Sequence, residues 1–517
     1  MSDLTEFGTL DLFYQQVIAT EHPDRPRFLR DYADVLRNQH YKTGRLADVE
    51  EAVLLGREAV DLWPSPHPYR ASLLTTLANA LSARFGQTWQ LTDLDEAILL
   101  GREAVDLWPS PHRYRALSLT TLANALSARF DQAWQLTDLD EAILLGREAV
   151  DLRPSPHPYR ALSLITLANL LSARFDETCQ LTDLDEATLL GREAVDLQPS
   201  PHPARVSSLI TLANALSARF YQTCQLTDLD EAILLGREAV DLRSSPHPYR
   251  ASSLAALAIA LFKQFYKTGQ LTDLDEAILL GREAVDLRPL LHPCRASSLE
   301  GLANALSTRF DKAGQLTDLD DAILLGRESL DLRPSPHPHR ASSLGALARA
   351  LSKRFGETGH LTDLDEAILL GREEVNLRPS PHPCRASSLE ALANALSTRF
   401  DKTGQLTDRD DAILLAREAV KLQSSLHPNR AFTLNRLERK VPDNDLDNAS
   451  TTSPLPTMTT ASAATKGGNL YDTLVTFPFS FISSLYSSLS MTAMQQYEQV
   501  SAPSQHGRGH QDADMQT

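Results

Sequence analysis

Apolar residues recur along most of this chain in two alternating helical patterns. The first predicts a helix that begins at Pro68, a residue suited to the opening helical position, and ends near Gly86. Its apolar positions are Leu74, Leu77, Ala78, Leu81 and Phe85. The second pattern, from Thr92 to Leu107, is too broadly apolar for a lone surface helix. The two patterns together predict helix pairs, each covered by neighbouring pairs.

The pair repeats with a period of 45 residues, marked by a His-Pro-x-Arg signature or a close relative of it. The signature histidines are His22, His67, His112, His157, His202, His247, His292, His337, His382 and His427. Self-similarity at a period of about 20 to 50 residues is typical of solenoids, propellers and arrays, and helix pairs select an all-α solenoid. We expect residues 1–45 to be a degenerate capping repeat and residues 46–440 to form the array.

Three recurrent features within the unit are expected to be structural. Thr92 and Asp95 have the spacing of a capping box at the start of the second helix. Gly101 stands in the middle of that helix, where glycine costs about 1 kcal/mol relative to alanine, so a neighbouring helix should approach closely there. The signature histidines occur once per repeat and cannot converge on a metal, which favours a loop or capping role.

The composition changes after the array. Residues 441–470 are rich in Asp, Asn, Ser, Thr and Pro, which predicts a disordered linker. Residues 471–494 could form an amphipathic helix through Ile482, Leu485 and Leu489. We favour a segment that docks on the solenoid or stays disordered over one that lies in a membrane surface, although the sequence leaves both open. Residues 495–517 are expected to be a disordered tail.

Charge narrows the class of partner. The formal net charge of −17 argues against a nucleic-acid-binding surface, which needs clustered Lys and Arg, and favours a protein or peptide partner. The first residues are acidic where a signal peptide would be basic, so we expect a cytoplasmic location. The sequence has no Gly-rich phosphate loop, nucleophile elbow or zinc-ligand spacing, and we therefore expect no enzyme activity, cofactor or metal.

These residues support a family comparison. Leu74, Leu77 and Ala78, followed by Ala104 and Pro109, fill most consensus positions of a tetratricopeptide repeat (TPR), so the unit resembles one of the longer, kinesin-light-chain type. The segment Leu-Ala-Asn-Ala-Leu-Ser-Ala-Arg-Phe resembles the repeats of fungal TPR arrays that precede a caspase-like CHAT protease domain. A CHAT domain itself is not evident after residue 440. The resemblance implies that the first helices line a concave groove.

A recurrent asparagine on the first helix is the main candidate for ligand contact. An amide can donate to and accept from an extended peptide backbone, and a row of amides at repeat spacing could hold one irrespective of its sequence. The alternative is that each amide bonds a neighbouring helix or was copied by duplication. The candidates are Asn79, Asn124, Asn169, Asn214, Asn304 and Asn394, with Ile259 and Arg349 as the exceptions.

Two further positions are candidates for selectivity. Thr75 and Thr120 belong to a pair of positions that varies between copies, as peptide selectivity would require. The arginines Arg84, Arg129, Arg174 and Arg219 lie beyond the asparagines and could attract an acidic ligand. Solvated or locally paired arginines would give the same pattern.

Two functions are compatible with the sequence. The first is a non-catalytic protein-interaction scaffold that binds an extended peptide in the groove. The second is a regulatory arm of a CHAT-type protease or signalling protein.

Overall fold

The computed structural model describes residues 23–422 except 113, 134, 201, 203, 245–246, 248, 291, 293, 336, 338, 381 and 383. Within these residues the chain forms eighteen α-helices and no strand. The expectations for residues 1–22 and for everything after residue 422, including the linker and the 471–494 segment, lie outside this range. None of the described helices is long and apolar enough to cross a membrane.

The helices alternate between a first and a second type, as the sequence predicts. The first helices are α1 (Arg25–Thr43), α3 (Arg70–Thr88), α5 (Arg115–Ala133), α7 (Arg160–Thr178), α9 (Arg205–Thr223), α11 (Arg250–Thr268), α13 (Arg295–Ala313), α15 (Arg340–Thr358) and α17 (Arg385–Thr403). The second helices are α2 (Leu46–Leu62), α4 (Leu91–Asp106), α6 (Leu136–Asp151), α8 (Leu181–Asp196), α10 (Leu226–Asp241), α12 (Leu271–Asp286), α14 (Leu316–Asp331), α16 (Leu361–Asn376) and α18 (Leu406–Leu422).

The chain forms two compact units. Among the described residues, unit 1 comprises 23–260 with the short segment 289–293, and unit 2 comprises 261–288 and 294–422. Each unit has its own apolar core of leucine and alanine side chains, such as Leu74 and Leu119 in unit 1 and Leu389 and Leu396 in unit 2. An α-solenoid of helix pairs is therefore confirmed within each unit.

The first helix begins and ends two residues later than the sequence predicts. It starts at Arg70 rather than Pro68, because the signature forms a turn of its own in which the N–H of Arg70 donates to the carbonyl of His67 at 3.0 Å. It continues through Gly86 to Thr88. The helix is terminated by the next residue, Trp89, which has a left-handed φ of 56°. Glycine takes this position in five other copies, where a positive φ carries no steric penalty: Gly44, Gly269, Gly314, Gly359 and Gly404.

The predicted capping box is absent from the second helix. Helix α4 begins at Leu91, so Thr92 is already helical, and Gln90 at the N-cap makes no side-chain capping bond. The carboxylate of Asp93, in the first turn, instead accepts a hydrogen bond from Arg84 on the first helix of the same repeat. An interaction across the helix pair has therefore replaced a local cap.

The mid-helix glycine marks a close approach, as predicted. A Cβ at Gly101 would lie 3.2 Å from Cδ1 and 3.3 Å from Cβ of Leu122, which belongs to the first helix of the following repeat. Gly191 meets Leu212 in the same way. At Gly101 and Gly191 the second helix is thus held against the next first helix so closely that a larger side chain does not fit.

Candidate peptide-binding face

The signature arginine joins three helices. In Arg70, Nη1 donates to the carbonyls of Val60 and Trp63 at the end of the preceding helix, at 3.0 and 3.1 Å. Its Nε donates to Glu103 of its own second helix at 2.7 Å. The same arginine-to-glutamate bond is made by Arg115, Arg160, Arg205, Arg295, Arg340 and Arg385. The signature is therefore part of the scaffold.

The signature histidine caps the turn before the first helix. Nδ1 of His247 accepts the backbone N–H of Tyr249 at 3.2 Å, and Nδ1 of His382 accepts that of Cys384 at 3.1 Å. A ring nitrogen that accepts must be unprotonated. Burial, with help from Arg243 and Lys42, lowers the pKa of His247 to about 4, which keeps it in that state. The capping role expected from the sequence is confirmed for these residues.

The four arginines predicted to attract a ligand are engaged inside the scaffold. In unit 1, Arg84 donates to both carboxylate oxygens of Asp93, at 2.8 and 2.6 Å, and Asp93 is only 3% exposed. Arg129, Arg174 and Arg219 make the same paired contact with Asp138, Asp183 and Asp228. The charge that these arginines could offer to a ligand is already balanced by a buried carboxylate. Their selectivity role stays a prediction.

The two threonines predicted to tune selectivity are not on the surface. Thr75 is 4% exposed and Thr120 is 0% exposed. The hydroxyl of Thr75 bonds the carbonyl of Ala71 at 2.8 Å and lies 3.0 Å from that of Ser118 on the following first helix. The hydroxyl of Thr120 donates to the carbonyl of Ala116 on its own helix at 2.8 Å. Both side chains are too buried to touch a peptide directly in this conformation.

The six asparagines differ in exposure. Asn169 and Asn214, in the middle of unit 1, are 5% and 9% exposed, too buried to meet a peptide in this conformation. Asn79, Asn124 and Asn304 are half-buried, and Asn394 is exposed. The row predicted from sequence is therefore accessible at its ends and in unit 2 but covered in the middle of unit 1.

Two asparagines, Asn214 in unit 1 and Asn304 in unit 2, each have an amide nitrogen that no described residue bonds. Nδ2 of Asn304 is buried and has no hydrogen-bond partner among the described residues. The alternative, that each amide bonds a neighbouring helix, does not hold for that nitrogen. Leaving a buried donor unpaired costs about 1 to 3 kcal/mol, so a ligand acceptor there would be favoured.

Sequence reasoning missed a set of buried arginines that follow the ends of the second helices. Arg243 is 1% exposed, Arg288 is 3% and Arg333 is 1%. In unit 2, Arg333 is paired with Glu300, which is 2% exposed, and donates to Ser343 at 2.7 Å. The recurrence of arginine 45 residues apart was the available signal, but the sequence alone does not show that it points inward.

The chain is similar in structure to known TPR proteins. A monomeric mutant of IFIT1, solved with m7Gppp-AAAA, has a TM-score of 0.51 at 15% identity, over 84% of this chain and 86% of that one. The human IFIT1 dimer with the same RNA has a TM-score of 0.50 at 16% identity, over 84% and 85% of the two chains. The fold is a TPR array.

A third solved structure matches a shorter stretch of the TPR array. It is a kinesin-light-chain-like protein of Podospora anserina with nearly identical TPR-like repeats, 25% identical, covering 44% of this chain and 100% of that one at a TM-score of 0.33. No protein-family model matches the chain. No curated protein matches it either. The comparisons establish the fold, and function has to be argued from the residues.

Proposed function

We propose that this TPR array is a non-catalytic interaction scaffold that binds an extended peptide along the first helices. The observation that carries the proposal is the greater exposure of the row in unit 2, where Asn304 is half-buried with an unpaired amide nitrogen and Asn394 is exposed. Asn214 of unit 1 also has an unpaired amide nitrogen but is only 9% exposed. Amides on successive helices suit a peptide backbone, which carries one donor and one acceptor per residue.

Unit 2 is the part of the chain best suited to this role. The Asn304 position is half-buried in α13 and the Asn394 position is exposed in α17, whereas Asn169 and Asn214 of unit 1 are covered. Between Asn304 and Asn394 the row is continued by Arg349, which is half-buried. Burial lowers the pKa of Arg349, and the nearby Glu374 and Glu300 favour its charged form. A partner with some acidic character suits that arginine, and this completes the proposal of a protein or peptide ligand.

The test uses the full chain and a phage-displayed library of random peptides. Peptides selected by the wild type are synthesised, and their affinities are compared for the wild type, for the Asn304→Ala/Asn394→Ala variant and for the Asn169→Ala/Asn214→Ala variant. We expect the first variant to lose about tenfold in affinity, since each amide contributes about 0.5 to 1.5 kcal/mol. The second variant changes buried copies of the same residue and should bind as the wild type does.

Two results would contradict the proposal. If the library yields no peptide that binds the chain, the scaffold does not recognise peptides of this kind. If the two double variants bind equally, with helicity unchanged by circular dichroism, the amide row is not the binding surface. The alternative role, as the arm of a CHAT-type protein, stays a prediction that a longer reading frame with a Cys/His pair would support.

A further inference from the structure

Every second helix described above exposes a leucine among its charged residues. Leu324 of α14, for example, has Asp320 one turn before it and Arg327 one turn after it. In unit 2 these leucines are between 63% and 68% exposed: Leu279 of α12, Leu324 of α14, Leu369 of α16 and Leu414 of α18.

The leucine persists where other positions of the second helix have diverged. In α18, Arg409 and Ala416 replace the leucine and the glycine of α12, yet Leu414 is retained. In α2, Val53 replaces the isoleucine of α12, and the adjacent Leu54 is retained as well. Gene duplication explains the leucine in identical copies, but these two helices kept it through other changes. A partner that covers the leucine accounts for its retention.

Ion pairs place the leucines of unit 2 side by side. Arg282 bonds Asp321 at 2.9 Å. The arginine lies one turn after Leu279, and the aspartate lies one turn before Leu324. Single exposed leucines are ordinary, whereas this aligned set, the leucine row of unit 2, is a candidate interaction surface. The same bond joins the next second helices at 2.8 and 2.9 Å, through Arg327 with Glu366 and Arg372 with Asp411.

The charged residues beside the leucine row are already paired with one another. Next to Leu324, Arg327 is bonded to Glu366. Asp320, on the other side of the leucine, accepts from Arg354 at 2.9 Å. An occupant of the row therefore gains little from charge and gains most from covering the leucine side chains. The matching surface is apolar on one side and needs no charge.

One segment of this chain has these properties. Residues 478–494, which lie outside the described range, contain no Asp, Glu, Lys or Arg. A helix at this place has serines over much of its polar side and an apolar face made of Phe479, Ile482, Leu485, Leu489 and Ala493. At about 1.5 Å per residue this face is about 21 Å long. Since a helix with its side chains is about 10 to 12 Å wide, the face can cover two successive leucines of the row.

The connection to the array is long enough for this contact. Residues 423–477 join Leu422, at the end of α18, to Pro478. An unstructured chain of that length has a root-mean-square span of about 40 Å, more than the width of three helices. A tethered segment meets a nearby site as an intramolecular partner, which favours contacts too weak to join separate molecules. The tether starts on α18, which itself carries a leucine of the row.

We propose that residues 478–494 form a helix that docks on the leucine row of unit 2. Ile482 and Leu489 contact Leu324 and Leu369, while the serines face solvent. The contact uses the second helices, so it neither requires nor prevents peptide binding along the first helices. It gives the leucine row an occupant within the chain.

Hydrogen exchange of the full chain tests this contact. In the wild type, the amides of residues 478–494 should exchange about tenfold or more slower than those of an unstructured peptide. The Leu324→Ser/Leu369→Ser variant removes two apolar contacts, and the protection should fall below about twofold. Both leucines are exposed, so circular dichroism should show that the array of this variant stays folded.

The matched control makes the same change in unit 1. Leu99→Ser/Leu144→Ser should leave the protection of residues 478–494 as it is in the wild type. A second measurement locates the contact directly. A photoreactive benzophenone amino acid in place of Leu485 should crosslink to α14 or α16 of the same molecule.

Three results would overturn the proposal. If residues 478–494 of the wild type exchange like an unstructured peptide, they do not dock. If the protection survives in Leu324→Ser/Leu369→Ser, or is lost equally in the unit 1 control, the segment is not held by the row of unit 2. If protection rises with protein concentration and the crosslinks join two molecules, a second copy of the chain covers the row instead. None of these results bears on the peptide-affinity test of the first helices.

Discussion

The first and second helices of this array differ in how far their copies have diverged. Four second helices, α4, α6, α10 and α12, share one sequence of 16 residues, LTDLDEAILLGREAVD. The corresponding first helices all differ from one another. The reason lies in the partners of the second helix. Asp93, Gly101 and Glu103 each meet a different first-helix residue, so a change at one of them needs a matching change elsewhere.

Unit 2 contains one such matched change. Glu374 replaces the alanine found at this place in most second helices and pairs with Arg378. On the first helix opposite stands Gly345, where a Cβ would lie only 2.7 Å from Oε1 of Glu374. In the preceding repeat the acid is on the first helix, at Glu300, and pairs with Arg333. The carboxylate that pairs with the buried arginine thus comes from the first helix in one repeat and from the second helix in the next.

The largest effect is expected when this exchange is broken. Glu374→Ala should destabilise unit 2 by about 3 kcal/mol, because it leaves Arg378, which is 9% exposed, without its carboxylate. Adding Gly345→Glu to that variant should recover most of the loss by recreating the arrangement of Glu300 and Arg333. Hydrogen exchange of α15 and α16 measures the local opening free energy. A double variant no more stable than Glu374→Ala would show that a glutamate at position 345 does not replace Glu374 as the partner of Arg378.

A smaller effect is expected from the glycines. Gly101→Val should cost about 2 kcal/mol, because the added side chain meets Leu122 at a site where a Cβ alone already lies 3.2 Å from it. Gly86→Ala is the matched control on the first helix, where nothing lies within 4 Å, and it should stabilise by about 1 kcal/mol. Hydrogen exchange of α3 and α4 measures the change in local opening free energy for both variants. The two substitutions should therefore change stability in opposite directions, and a Gly101→Val variant as stable as the wild type would contradict the close approach.

The smallest effect on stability is expected at Glu177, at the end of α7, and it depends on pH. Burial, with repulsion from Asp131, raises the pKa of Glu177 from 4.5 to about 7. The folded chain therefore holds a proton that the unfolded chain releases, and stability falls as pH rises from 4.5 to 7. Glu177→Gln, the residue present at Gln87 and Gln132, removes this cost. At pH 8 it should stabilise by about 1 to 2 kcal/mol after allowance for solvent screening.

Thermal unfolding at two pH values checks this prediction. The gain in midpoint temperature from Glu177→Gln should be larger at pH 8 than at pH 6. Glu357 occupies the same position of a later repeat and is exposed, so Glu357→Gln is the control and should show no such difference. A gain independent of pH would mean that the glutamine acts through packing rather than through the lost charge.

The sequence predicts the regular part of this structure and misses which partners most polar side chains find. The period and the helix pairs follow from spacing, and the close approach at Gly101 follows from the cost of a glycine inside a helix. The start of the first helix does not, because it is set by Arg70 reaching carbonyls ten residues earlier, at Val60. The burial of Asn169 cannot be predicted from one repeat, because Asn124 occupies the same position of the preceding repeat and is only half-buried.

The ion pairs between successive second helices give the array a direction. Arg102 bonds Glu141 of the following repeat at 2.8 Å, and Arg147 and Arg192 bond Glu186 and Glu231 in the same sense. Every such helix therefore carries a basic flank toward one neighbour and an acidic flank toward the other. A copied repeat inserted at one of these junctions carries both the arginine and the glutamate, so each of them still meets an oppositely charged partner. Length can thus change by whole repeats through gene duplication or deletion, without new surfaces having to be found.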